Sequence, residues 1–200
     1  MKTQGALLIA TLVATTSVSA QLNFFQWPTA SGGNDHFYAV TPNAANWSTA
    51  EAFAVSQGGH LASITSAGEQ SFLTTTFLNG FFDSRSLWIG LTDRTTEGVF
   101  LWTTGEPFSY TRWYAGEPND GGGLQTPEDY VAMNWQRAAG QTSTKGEWND
   151  TPLNGTVGLG GLSSGPYYGI IEVVPEPSAF LLGGVGMVGL LVWRRFVKAA

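Results

Sequence analysis

Residues 93–166 form a long stretch that is mostly loop in composition, and this stretch constrains the fold more than any other feature. It is rich in Gly, Asn, Asp, Thr and Pro, the residues of turns and loops, yet it carries isolated tryptophans, at Trp102, Trp113, Trp135 and Trp148. Disordered segments are poor in aromatic residues. The sequence therefore predicts a long ordered loop region within a domain, and loops of this length are usually functional.

Two helices are predicted before this loop region. The first has Ser48 as its cap, with Glu51 three residues later, and two glycines at 58–59 end it. The second opens with a capping-box pair, Ser66 and Glu69, and runs to about residue 79. Its inward-facing residues are predicted to be Phe72, Leu73 and Phe77.

Strands are predicted at 37–41, 87–91, 130–133 and 168–171, with a short extended piece at 61–64. A strand, two helices and then strands around an irregular region is the order of an α+β domain. We find no internal repeat, and the domain is predicted to span residues 34–174, a normal size for one hydrophobic core.

Both chain ends carry apolar segments that we predict to lie outside the domain. Residues 1–20 have the pattern of a secretory signal peptide, with small residues before Gln21, and residues 21–33 are expected to form an N-terminal extension. Residues 179–193 are uncharged, and a helix over them would reach only about 22 Å, against ~30 Å for a bilayer core. Basic residues after this span predict that the domain lies outside the membrane.

The charge of residues 21–177 limits the partners of the domain. Five Lys and Arg stand against fifteen Asp and Glu, a net charge of −10, which the whole-chain value of −6 conceals. This acidic exterior argues against nucleic acid, whose binding depends on neutralised phosphates. The chain has no cysteine, so its stability must come from packing or from a bound ion rather than from disulfides.

The loop region places carboxylates beside amides. Glu117-Pro118-Asn119-Asp120 is followed by Glu128-Asp129 and then by Asn149-Asp150. A hard cation such as Ca²⁺ takes its ligands from carboxylate and amide oxygens, so these segments are candidates for a metal site. The alternative is a solvated acidic loop with ordinary Asx turns, and composition alone does not separate the two.

An ordered set of motifs, covering about residues 37–172, resembles the C-type lectin domain. The set comprises, in chain order, Trp47 and Ala50, Gly58-Gly59-His60-Leu61-Ala62-Ser63-Ile64, Glu69-Gln70, Trp88-Ile89-Gly90-Leu91-Thr92-Asp93, Glu97-Gly98, Phe100, Trp102, Gly105, Tyr110, Trp113, Glu117-Pro118-Asn119 and Trp148-Asn149-Asp150. The resemblance implies a C-type lectin-like fold of two helices and a small antiparallel sheet with a long irregular loop region.

The same resemblance implies a calcium and carbohydrate site. In that family the Glu-Pro-Asn segment, a following Glu and the Asn-Asp pair hold one Ca²⁺, which binds two vicinal sugar hydroxyls. The corresponding residues here are Glu117, Asn119, Glu128, Asn149 and Asp150. The Glu-Pro-Asn order is associated with mannose-type sugars. A second, structural Ca²⁺ of some members would be held by Asp93, Glu97, Asp120, Glu128 and Asp129.

The chain departs from the family pattern in two respects. The family's cysteines are replaced by Ala54, Tyr130, Leu153 and Ile171, so two disulfides worth ~2–4 kcal/mol each must be offset elsewhere. Residues 121–127 are also longer than in mannose-type members. A structural or adhesive matrix protein, which binds protein ligands through the same fold without sugar, therefore stays open as an alternative.

The C-terminal tail resembles the bacterial PEP-CTERM sorting signal. The resemblance rests on Val174-Pro175-Glu176-Pro177, the apolar span and Arg194-Arg195. It implies an exosortase-type membrane protease as a partner and a secreted or cell-surface protein that passes through the inner membrane. A plain single-span anchor is the alternative.

An enzyme is not expected. Cysteine catalysis is excluded, and His36 and His60 are the only imidazoles, with His60 expected to be structural. A glycosidase would use two carboxylates among Glu117, Glu128, Glu147 and Asp150, but it would leave the neighbouring Asn residues unexplained. We therefore predict a binding protein for a glycan or exopolysaccharide.

Overall fold

The computed structural model describes residues 21–123, 127–135, 144–155 and 165–175. The elements in these ranges are, in chain order, β1 (Phe25–Gln26), β2 (Phe37–Val40), α1 (Trp47–Ser56), β3 (His60–Leu61), α2 (Ala67–Phe77), β4 (Leu87–Thr92), β5 (Leu101–Trp102), β6 (Tyr130–Met133), β7 (Trp148–Thr151) and β8 (Tyr168–Val173). Short 3-10 turns lie at Thr29–Ser31, Gly80–Phe82 and Asp120–Gly123. The predicted α+β class is confirmed.

The last strand, β8, lies in the middle of the sheet. The hydrogen-bonded order is β1-β2-β8-β4-β6-β7, with β3 also paired to β8 and β5 to β4. Strand β8 runs antiparallel to β2, where Glu172 lies opposite Tyr38, and parallel to β4, where Tyr168 lies opposite Leu87. The other strand pairs in the described ranges are antiparallel. The sheet is therefore mixed but mostly antiparallel, and β8 joins its two halves.

The sheet begins earlier than the predicted domain boundary at residue 34. In β1, Phe25 pairs with Tyr38 and Gln26 pairs with Phe37. The following residue, Trp27, stacks on Phe72 of α2 with ring centres 5.7 Å apart. Part of the segment 21–33 thus belongs to the sheet, although we predicted it as an extension.

The helix starts are set by side-chain caps. The Asn46 side chain accepts a hydrogen bond from Thr49 N at 2.8 Å, so α1 begins at Trp47 and the predicted cap, Ser48, was wrong. Asn is as good a helix cap as Ser. Asn46 stands directly before Trp47, the buried first residue of the helix, whereas Ser48 follows it. Ser66 caps α2 as predicted, by accepting from Glu69 N at 3.1 Å.

Tryptophans of the irregular region pack into the core, in agreement with the prediction of an ordered loop. Trp148 is fully buried, and its indole N–H donates to Gln70 Oε1 of α2 at 2.8 Å. The Trp102 and Trp113 rings lie 5.9 and 5.8 Å from the Trp148 ring, both in near-perpendicular contact. These aromatic contacts bury the loop's apolar side chains, so the segments before β7 are held in place without regular structure.

The positions of the missing family cysteines are filled by packing. Ala54 and Ile171 are completely buried. Tyr130 lies 4.9 Å from Trp47 between ring centres, and Leu153 packs against the same cluster. Apolar contacts therefore replace both implied disulfides.

A polar contact fastens α1 to β3. Glu51 accepts from Leu61 N at 2.8 Å and lies 2.6 Å from His60 Nδ1. His60 thus has the structural contact that we expected of it.

Candidate functional site

Strand β7 carries two buried polar residues side by side. Asn149 lies opposite Ala132 and Asp150 opposite Val131 of β6, and both polar residues are at most 3% exposed. The Asn149 amide nitrogen donates to the backbone carbonyl of Asp150. The amide oxygen of Asn149 is buried and has no hydrogen-bond partner within the described residues. Buried polar atoms almost always have a partner, so this oxygen is an unusual feature of the site.

Three successive backbone amides of the loop point at two carboxylates. Asn119 N and Asp120 N donate to Asp150 Oδ2 at 3.0 and 2.8 Å, and Gly121 N donates to Glu128 Oε2 at 2.8 Å. Asp120 and Gly121 both have a positive φ, of 49° and 72°. Asp and Gly are residues that tolerate this left-handed conformation, and successive amides in such a turn form a concave nest for anions.

The side chains on either side of Pro118 meet. The Asn119 amide donates to a Glu117 carboxylate oxygen, and the Glu117–Pro118 peptide bond is cis. Glu128, which follows the longer segment, is held near the same turn because its backbone N donates to Asp120 Oδ1 at 3.0 Å. The structure thus places the Glu-Pro-Asn segment, Glu128 and Asp150 in one neighbourhood.

The carboxylates of Glu117, Glu128 and Asp150 lie close enough together to interact electrostatically. Burial raises the pKa of Glu117 to about 8, with a further contribution from the charges of Asp150 and Glu128. Burial, followed by the charge of Asp150, raises the pKa of Glu128 to about 7. None of these three carboxylates has an ion pair with Lys, Arg or His in the described ranges. Among the residues that the structure describes, no ion pair therefore compensates the negative charge of the site.

The residues implied for a second ion interact with one another as well. Asp93 is 3% exposed, its Oδ2 accepts from Gly98 N at 3.0 Å, and its Oδ1 has no partner among the residues described. Burial raises the pKa of Asp93, and the charge of Asp93 raises that of the exposed Glu97. Burial raises the pKa of Asp129, followed by the charges of Asp93 and Asp120. The charge of Asp150 also raises the pKa of Asp93.

The acidic side chains alone do not form a closed metal site. In the described part of the chain, no three His, Cys, Asp or Glu side chains are grouped in a way that could hold a metal ion. The Asp150 carboxylate accepts hydrogen bonds from the backbone amides of Asn119 and Asp120. The full donor set nevertheless suits a hard cation, because amide oxygens are ligands for Ca²⁺ beside carboxylates. The unpartnered side-chain oxygens of Asn149 and Asp93 are two such possible ligands.

Sequence reasoning missed the amide turn at 119–121. Its donors are backbone N–H groups, which every residue except proline carries, so residue identity does not point to them. The one available signal was the Asn-Asp-Gly run after Pro118, since these residues favour left-handed turns.

Comparisons with known proteins agree with this fold. The Lectin C-type domain family model matches residues 43–155, and the PEP-CTERM protein-sorting motif matches residues 173–195. C-type lectin domain family 4 member F of Mus musculus is 34% identical over 125 residues, which are 58% of this chain and 19% of that protein. The chain therefore spans about a fifth of that relative's length.

Two solved structures are similar in fold and sequence. The cow C-type carbohydrate-recognition domain of CD23, solved in the presence of a GlcNAc2Man3 oligosaccharide, is 28% identical with a TM-score of 0.54, covering 72% of this chain and 92% of that one. CEL-I from Cucumaria echinata is 26% identical with a TM-score of 0.54, covering 69% and 91%. Domains of this family and fold are typically not enzymes.

The sorting motif and its predicted span lie mostly outside the described residues. Val174 and Pro175 follow β8 directly, whereas Glu176, Pro177 and residues 179–193 are not described. No helix in the described ranges is long and apolar enough to cross a membrane.

The lectin match at 43–155 covers more than half of the chain, and the PEP-CTERM match at 173–195 follows it. This protein therefore belongs to the C-type lectin domain family.

Proposed function

We propose that this exported lectin-like protein binds mannose-type sugars through Ca²⁺ at the cell surface or in the extracellular matrix. The proposed calcium and sugar ligands are Glu117, Asn119, Glu128, Asn149 and Asp150. A second, structural ion would use Asp93, Glu97, Asp120, Glu128 and Asp129. The lectin and sorting matches support export and a lectin-like role. The calcium proposal is argued from the site, whereas the sugar class is what the family resemblance implies for the Glu-Pro-Asn order.

The observation that carries the proposal is the buried, unpartnered amide oxygen of Asn149. The amide nitrogen of Asn149 donates a hydrogen bond to the backbone carbonyl of Asp150. This contact fixes the orientation of the amide group and leaves its oxygen free to bind a cation. A cation beside this oxygen would satisfy it and would offset the charges of Glu117 and Asp150. The unpartnered Asp93 Oδ1 argues in the same way for the second group.

Each residue of the proposed site has a distinct role in sugar binding. When bound, Ca²⁺ supplies positive charge and open coordination positions that sugar hydroxyl oxygens can fill. The carboxylates of Glu117 and Glu128 accept hydrogen bonds from those hydroxyls, and the amides of Asn119 and Asn149 donate to them. The order of acceptor and donor around Pro118 then decides which pair of hydroxyls fits, which is why Glu117 and Asn119 are the specificity pair.

A double exchange tests the sugar class. Glu117→Gln with Asn119→Asp preserves the net charge and the number of oxygen ligands but reverses the acceptor and the donor. We expect calcium to bind the full-length variant, as measured by calorimetry, while binding to α-mannan weakens at least about fivefold, since each mispaired group is worth about 1–3 kcal/mol.

The matched control is Glu106→Gln, which removes a carboxylate whose own contact is with Thr104, away from the proposed ligands. It should leave calcium and mannan binding unchanged. If calcium binds but no glycan binding depends on it, the protein is a matrix or adhesive protein that uses the fold for protein ligands. If neither binds, the calcium proposal itself fails.

A further inference from the structure

A long uncharged groove runs along α2, away from the carboxylate site. One cavity of about 380 Å³ lies between the N-terminal segment, the end of α2 and Tyr168. A second, of about 500 Å³, lies between Trp27 and the outer side of α2. Thr76 lines both cavities, so they adjoin at this residue. The 11 residues of α2 rise about 16 Å, which makes the groove long enough for an extended chain.

The walls of the groove are aromatic. Phe25 and Phe81 are 48% and 59% exposed, and both line the first cavity together with Phe82 and Tyr168. Phe81 makes edge contacts with Phe82 and Tyr168, with ring centres 5.0 and 6.0 Å away. In the second cavity, Trp27 stacks on Phe72. These rings are held in place by packing and still present surface to a ligand.

Part of the remaining lining consists of hydroxyl and amide side chains that the protein leaves unengaged. Within the described residues, no hydrogen bond engages the side chains of Asn23, Ser71, Thr75 or Thr76. The nitrogen of Asn79 donates to the carbonyls of Thr75 and Thr76, which leaves its oxygen to accept. Free hydrogen-bonding groups thus line both cavities together with the aromatic rings.

The charge pattern identifies the kind of ligand. None of the residues lining either cavity is charged, although the region 21–177 carries a net charge of −10. The guanidinium of Arg85 borders the groove, 4.0 Å from the centre of the Phe81 ring, and can donate to hydroxyls. The uncharged lining itself favours a neutral ligand that has apolar faces and hydroxyl edges.

We propose that this groove is a second, calcium-independent binding site for a neutral polysaccharide chain. The C–H faces of the sugar rings would pack on Phe25, Phe81 and Trp27, and their hydroxyls would pair with Asn23, Thr76 and Asn79. Apolar walls with a few polar groups that fix orientation are the general composition of ligand sites. The site does not depend on the proposed calcium function, since it shares no residue with it.

The test is retention on neutral polysaccharides in excess EDTA. The full-length protein is placed in lipid nanodiscs, which keep detergent out of the groove, and is applied to β-1,3-glucan, cellulose and bead-coupled α-mannan. We expect retention on at least one. Phe81→Ala and Phe25→Ala should each weaken it about three- to tenfold, the size of one lost aromatic contact. Thr76→Val replaces a hydroxyl with a methyl group of similar size, so this variant should also show weaker retention.

Val55→Ala is the matched control, because Val55 on α1 is 51% exposed and lies outside the groove. It should bind as the unmodified protein does. Absence of retention in EDTA on all three polysaccharides would overturn the proposal, as would undiminished retention of the Phe81 and Phe25 variants. Retention that vanishes only in EDTA belongs to the calcium site and also overturns it. Phe81-dependent self-association in sedimentation, without retention, would identify a second copy as the occupant instead.

Discussion

The carboxylate of Asp150 accepts a hydrogen bond from the backbone N–H of Asn119, at 3.2 Å to Oδ1 and 3.0 Å to Oδ2. The two residues are 31 apart in sequence, and Asp150 lies on β7 whereas Asn119 lies in the loop. The same carboxylate is a proposed calcium ligand. Loop anchoring and the proposed ion binding therefore involve the same group.

Asp150→Asn should separate these two roles. The amide oxygen can still accept from Asn119 and Asp120, while the charge that acts on Glu117 and Glu128 is lost. We expect the calcium-free free energy of unfolding, from urea titration, to fall by no more than about 0.5 kcal/mol. Calcium affinity, from calorimetry, should fall severalfold or more because a charged ligand is lost.

The matched variant is Asp150→Ala, which also removes the hydrogen-bond acceptor. It should lower the calcium-free free energy of unfolding by about 1–3 kcal/mol, because two backbone amides lose their acceptor. Equal stability of the Asn and Ala variants would contradict the anchoring role.

Stability without calcium should fall as the pH rises. The pKa of Glu117 is raised to about 8 and that of Glu128 to about 7, both above the ordinary value of 4.5. The folded state thus holds protons that the unfolded state has released, and its advantage is lost as the pH rises through these values. Melting temperatures in EDTA should decline between about pH 5 and pH 8, and Glu117→Gln should flatten the decline. A rising curve would contradict the crowding of these carboxylates.

Calcium should reverse this decline. A ligand that binds only the folded state adds about 2.7 kcal/mol at 100 times its Kd. We expect EDTA to lower the melting temperature and Ca²⁺ to restore it. Mg²⁺ should not restore it, because Mg²⁺ demands a tight octahedron and keeps its waters. The gain from calcium should be larger at pH 8 than at pH 6, since binding needs both glutamates deprotonated. An identical melting curve with and without EDTA would exclude the ion.

Surface sorting should depend on the Pro-Glu-Pro segment. Replacing Glu176 and Pro177 with Ala removes the proposed recognition element of an exosortase-type protease. We expect the variant to remain in the inner membrane with its tail, as seen by fractionation and mass spectrometry of the C-terminus. Recovery of the unmodified mature protein with residues 179–200 intact would favour the plain anchor.

Local patterns in the sequence determined much of the fold. Alternation predicted β2, an apolar run predicted β4, and the Ser66–Glu69 pair predicted the start of α2, because each depends on neighbouring residues. The tryptophans of residues 93–166 predicted an ordered loop, and the structure packs Trp102, Trp113 and Trp148 together. The proposed ligands also came from the sequence, through the resemblance of its motifs to those of the C-type lectin domain.

Only the tertiary structure decided how these groups meet. The pairing of β1 with β2, the amide turn that holds Asp150 and the uncharged groove along α2 each join residues far apart in sequence. The polar groups of these features are backbone N–H groups and common polar side chains. Such groups occur throughout the sequence, so residue identity alone does not show which of them meet. Burial then decided the properties of the site, because the pKa of Glu117 rises only once the fold removes water and brings Asp150 and Glu128 close.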